Sequence, residues 1–176
     1  MHFLLATFLT AAATPPPLLP DLVGTWEGEL AYLDYRSGER FGLPLRAVQR
    51  TSADGRTLIA EYAFTDPGRR VHAVSLTTLT DDGHWVESYF REGKTELQTY
   101  DLVRAERVDG AWLVVLEMDG TDDDRPARIR RELRLTGDRL TSRKLVDHRD
   151  DDAEHWLLRN TSDLKRVGPG PGAASP

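Results

Sequence analysis

Residues 125 to 144 read RPARIRRELRLTGDRLTSRK, with eight Lys or Arg against two acids, Glu132 and Asp138. Acidic stretches, DGTDDD and DHRDDDAE, flank the segment on both sides. Read with a period of two, Ile129, Arg131, Leu133 and Leu135 share one face of a strand, and Arg128, Arg130, Glu132 and Arg134 the other. The first face is the apolar one, so Arg131 points into the core. A guanidinium there is costly unless it meets an anion. Two partners would suit it: an internal Glu or Asp, or the acid group of a bound ligand. Arg159, late in the chain, is a second candidate for the same task. Trp85, Tyr89, Tyr100 and Trp112 fall on three consecutive segments, where they would line a cavity or pack a core.

Other chemistry is sparse. His148 and His155 bracket Asp150, Asp151, Asp152 and Glu154. Carboxylates and imidazoles in one loop are the ligand types for a divalent cation, although a solvated acidic turn has the same composition. The absence of cysteine excludes disulfides, thiolate metal sites and a thiol nucleophile. No Gly-x-Ser-x-Gly elbow, phosphate loop or His-Glu-x-x-His helix occurs. A net charge of -6 argues against nucleic acid as a partner, because such binding rests largely on neutralising phosphates.

What would position these residues is a run of strands. Period-two segments recur from LVGTWEGELAYLDY through LPLRAVQR, RTLIAEYAFTD, RRVHAVSLTTLT and HWVESYFRE. They continue in TELQTYDLVRAE, AWLVVLEMDG, ARIRRELRLT and RLTSRKLVDH, and end in EHWLLRNTSDLKRV. Turn signals such as SADGR, TDPGR, TDDGH, REGK, VDGA and LTGDR separate many of them. Connections this short make neighbours in sequence neighbours in a sheet, an antiparallel meander without βαβ units. The expected fold is all-β: an antiparallel up-and-down barrel of about ten strands, whose closure removes both edges. A two-sheet sandwich is the alternative. A chain of 176 residues is long enough for one such domain with a core of its own.

The segment GTWEGE, opening the first strand at Gly24, resembles the Gly-x-Trp signature of the calycins. These are the lipocalins, the fatty-acid-binding proteins and their bacterial relatives, including nitrobindin-like haem barrels. The resemblance implies that Trp26 plugs the closed end of a barrel. It also implies that a basic residue of the last strand, Arg166 or Lys165 in LKRV, packs across the indole, with Gly24 allowing close approach. By the same resemblance, Arg131 takes the role of an inward arginine that holds a ligand's carboxylate, with Arg159 as a second. The usual tyrosine two residues later is replaced here by Thr161. The interval DYRSGERFG is too short for the helix pair of the fatty-acid-binding proteins, so the comparison leans to the lidless bacterial barrels. A haem, if present, would fall to His155.

The two ends differ from the middle. Residues 1 to 20 contain no Lys, Arg, Asp or Glu. The apolar run Phe3 to Leu9 and the small residues Ala11 to Ala13 read as a signal peptide, with TPPPLLP as a stiff spacer. The domain is expected over residues 21 to 167, followed by a Gly/Pro-rich tail at 168 to 176. The protein is then periplasmic or secreted, with no transmembrane span in the mature chain. Its expected task is to bind a small hydrophobic or amphipathic, acidic ligand inside the barrel. A filled barrel that docks an acidic partner, and a barrel enzyme of isomerase or lyase type using inward Glu, Tyr and Arg, are the alternatives.

Overall fold

A computed structural model of the chain describes residues 18–34, 37–66, 68–149 and 153–169. The signal-like segment up to residue 17, Asp150 to Asp152, and the tail from residue 170 lie outside the described residues. One helical turn, α1 (Leu18–Asp21), precedes ten strands: β1 (Gly24–Leu33), β2 (Arg40–Thr51), β3 (Thr57–Asp66), β4 (Arg69–Leu79), β5 (His84–Arg91), β6 (Lys94–Val108), β7 (Ala111–Asp122), β8 (Arg125–Thr136), β9 (Arg139–His148) and β10 (Leu157–Gly168). Each strand pairs antiparallel with the next, and β10 returns to pair with β1. The sheet therefore closes into an up-and-down barrel.

Local chemistry sets the hairpins. Glu92–Gly93, Asp109–Gly110 and Asp123–Asp124 join successive strands with positive φ at both residues, between 50° and 80°. That is the backbone of a two-residue turn whose twist matches a right-handed sheet. The seam between β1 and β10 depends on Gly28. A Cβ there would stand 2.0 Å from the Asp163 carbonyl oxygen, so only glycine lets the two strands lie this close.

Alternation decides what enters the barrel. Trp26 and Ala47 are fully buried, and Leu58, Trp85, Trp112 and Leu164 are at most 4% exposed. They belong to one core cluster with Leu18, Leu19 and Leu22 from α1 and the turn after it. The fold thus begins before residue 21, because Leu18 and Leu19 of the Pro-rich stretch bury their side chains over the barrel end. Successive hairpins alternate between the two ends, and ten is an even number. The start of β1 and the end of β10 therefore lie together at the end that α1 covers.

Candidate functional site

The covered end is built around Trp26. Its register partner across the seam is Arg166, whose guanidinium carbon stands 4.3 Å from the centre of the indole ring. Arg166 also donates to the carbonyls of Val23 and, at 2.8 Å, Asp21, while Trp26 Nε1 donates to the Leu22 carbonyl at 3.0 Å. Gly24 makes room: a Cβ there would lie 3.0 Å from Arg166 Nη1 and 3.3 Å from Trp26 Nε1. Trp112 Nε1 donates to Asp21 Oδ2 at 2.6 Å, and Arg107 reaches the same oxygen at 3.0 Å. Backbone acceptors and one carboxylate thus tie α1 down as a plug. Burial outweighs the charges of Asp21 and Asp138 and holds the Arg166 guanidinium below its ordinary range.

Above the plug is a cavity of about 280 Å³. Leu30, Leu45, Leu133, Leu140 and Leu164 form its aliphatic wall, and Tyr32, Tyr62, Phe64, Tyr89 and Tyr100 its aromatic one. A second hollow of about 200 Å³ shares Leu30, Tyr32, Phe64 and Tyr89 with it and extends to Arg69, Arg91 and Glu92 near the rim. The rings pack on one another, with Tyr62 and Phe64 centroids 6.1 Å apart and Tyr62 and Tyr89 6.4 Å apart.

Glu96 and Arg143 reach the cavity from its exposed edge, and three more charged groups lie deeper in it. Arg131 on β8 points inward and meets Glu87 on β5, Nη1 to Oε2, at 2.9 Å. The two strands are separated by β6 and β7, so the pair spans the lumen. The Trp85 indole donates to Glu87 Oε2 at 3.4 Å, and the Arg131 guanidinium lies 5.5 Å from the centre of the Tyr100 ring. Burial opposes the charge on Glu87, but the Arg131 charge and hydrogen bond outweigh it and hold the carboxyl below its ordinary range. Desolvation and, after it, the Glu87 charge push the half-buried Tyr62 hydroxyl up to about 12.

The third charge is Lys144 on β9. It is the direct register partner of Arg131 on one side and of Asn160 on the other, and all three line the cavity. Like charges opposite each other across a ladder repel. Glu87 is engaged by Arg131, and no carboxylate among the described residues lies within ion-pair distance of Lys144. Burial is the largest influence on its ammonium and, with the neighbouring arginines, outweighs Asp122 and Glu96 to hold it below the ordinary lysine value.

The remaining candidates go elsewhere. Trp85 and Trp112 are buried at the plugged end and are not among the residues lining the cavity. Arg159 is the extra residue where β10 slips register between Leu158 and Asn160. The bulge lets its side chain meet Asp122, 2.8 Å away, where His148 Nε2 also approaches to 3.3 Å. His155 is exposed, and its backbone amide donates to Asp147 Oδ1 at 2.9 Å. Among the described residues, no three His, Asp or Glu side chains gather as a metal site requires. No described helix is long and apolar enough to cross a membrane.

Sequence reasoning passed over Glu87 and Lys144. Glu87 carried a signal, since it shares its parity with Trp85 and Tyr89 in HWVESYF. Lys144 carried none, because RLTSRKLVDH has leucines of both parities and leaves its inner face undecided. No protein-family model matches the chain, and no curated protein matches it.

Proposed function

We propose that the chain is a calycin-like binding barrel whose lumen takes a small amphipathic ligand carrying an acid group. The observation that carries this reading is Lys144. The lumen holds two inward cations, Arg131 and Lys144; Glu87 pairs with Arg131, while Glu96, on the exposed edge of the cavity, makes no ion pair with Lys144. A ligand carboxylate would supply the missing anion, while the leucine and tyrosine walls would take its apolar part. Tyr89 and Tyr100 are the aromatic contacts of this reading, and Arg91 at the rim would attract the acid on approach. Gly24, Trp26 and Arg166 would keep the floor shut, with Trp85 and Trp112 supporting it from below and Arg159 bracing the opposite side. The cavity is slightly smaller than the range of about 300–1,000 Å³ typical of ligand pockets, which favours a short ligand over a long-chain one. An open lumen also speaks against a filled barrel.

Isothermal titration with hexanoate and with hexanol tests the proposal. The acid should bind about tenfold or more tightly than the alcohol, and Lys144→Gln should abolish that preference. Equal binding of acid and alcohol by the unmodified protein overturns it. Export is part of the same proposal, and N-terminal sequencing of the protein taken from its own cells would check it.

A further inference from the structure

The chain uses arginine for nearly every cation: twenty arginines against three lysines, Lys94, Lys144 and Lys165. Lys94 and Lys165 are exposed, and Lys144 alone faces the lumen. An inward arginine stays charged under all ordinary conditions, whereas a lysine can shed its proton and become a nucleophile. The site discourages the proton by geometry. Arg131 stands directly opposite Lys144 on the ladder, the buried Glu87 carboxylate is held by Arg131, and Glu96, on the exposed edge of the cavity, makes no ion pair with Lys144. Groups on four strands act on it: Asp122 of β7 and Glu96 of β6 favour its charge, and Arg131 of β8 and Arg159 of β10 oppose it. Burial adds to the opposing side.

We infer that the Lys144 amine captures a small apolar aldehyde in the cavity as a reversible imine. The inference rests on the reading of the lumen as a ligand site and extends its ligand class from acids to carbonyls. The nitrogen lone pair attacks the carbonyl carbon, forming the C–N bond, and the carbonyl oxygen takes up a proton to give a carbinolamine. Loss of the second N–H proton and cleavage of the C–O bond then release one water and leave C=N. No oxidant or reductant takes part. The Asn160 amide, opposite Lys144, and the Ser142–Ser162 hydroxyl pair, whose oxygens are 2.7 Å apart on the same wall, supply donors and acceptors for the carbinolamine oxygen. The leucine wall accommodates the alkyl chain and excludes water that would hydrolyse the imine.

The test is reductive trapping of the full-length folded protein with hexanal and sodium cyanoborohydride, read by intact mass and peptide mapping. Lys144 should acquire a hexyl group about tenfold or more faster than Lys94 and Lys165, because the cavity holds amine and carbonyl together. In urea the three lysines should react at similar rates, and Lys144→Arg should lose the fast phase while the slow surface labelling remains. If folded Lys144 reacts no faster than the two exposed lysines, the inference is wrong, whatever the variant does. Added hexanoate separates the two readings. Protection of Lys144 by hexanoate supports both, and fast trapping without protection keeps aldehyde capture and removes the acid ligand. Hexanoate binding without fast trapping does the reverse.

Discussion

Glu87 and Arg131 would each be an uncompensated charge inside the barrel if the other were missing. Removing one partner of a buried pair costs about 3–5 kcal/mol, whereas replacing both by apolar residues of similar size is often neutral or stabilising. Both side chains keep some surface open to the cavity, 25% for Arg131 and 11% for Glu87, so the lower part of that range applies. Urea unfolding should show Glu87→Gln strongly destabilised and Glu87→Leu with Arg131→Met largely restored. The Glu87 contribution also has a pH signature. Its carboxyl ionises more readily folded than unfolded, so the stability it adds is complete above its ordinary value of 4.5 and is lost as pH falls through the folded value. The gap between the unmodified protein and Glu87→Gln should therefore narrow in acid. Lys144 has the opposite sign. Its folded form holds its proton less tightly than the unfolded chain, so the cost it imposes is greatest at low pH and fades as pH rises towards 10.5. Lys144→Met should stabilise the protein by about 0.5–2 kcal/mol near neutrality, because it removes a charge that burial disfavours. That advantage should shrink in alkaline denaturant titrations.

Strands and turns were the most legible level. Each of the ten strands was marked by alternation, and Glu-Gly, Asp-Gly and Gly-Asp steps marked five of the hairpins. The exceptions have physical causes. LLPD follows three prolines, and its helical turn exists because Leu18 and Leu19 have a barrel end to cover. The inner face of β9 was ambiguous because Leu145 and Asp147 on its outer face are buried as well. There the segment before β10 lies against the outside of the barrel: Trp156 packs 4.0 Å from the Arg130 guanidinium, and the His155 amide bonds Asp147. The Glu87–Arg131 contact was invisible for another reason. It joins strands three apart across a lumen, a distance no local pattern encodes. At this scale the seam offers a clean test. Gly28→Ala sets a methyl group against the Asp163 backbone and should cost about 1–3 kcal/mol, read as a fall in thermal midpoint.

Across the whole molecule, charge and closure divide the labour between the two ends. One end is sealed by Trp26, Arg166, Trp112, Asp21 and the leucines of α1, so exchange with solvent belongs to the other, where Tyr32, Tyr89 and Arg91 stand near the rim. Most exposed arginines are paired locally, for example Arg69 with Glu92 at 2.9 Å and Arg139 with Asp163 at 2.5 Å. Such surface pairs add little stability each.

Because the number of strands is even, Leu18 and Gly168 leave the barrel on its sealed side, where the Thr25 hydroxyl still reaches the Pro169 carbonyl at 3.3 Å. A barrel held by either of these ends is held like a cup by its base, with the rim turned away from the support. Attachment to a sensor surface through an N-terminal or a C-terminal tag should give the same association rate for hexanoate. A cross-link at Arg91, on the rim, should slow it. A tether, a fused domain or a surface anchor at either end would then set the direction in which the mouth faces without standing in its way.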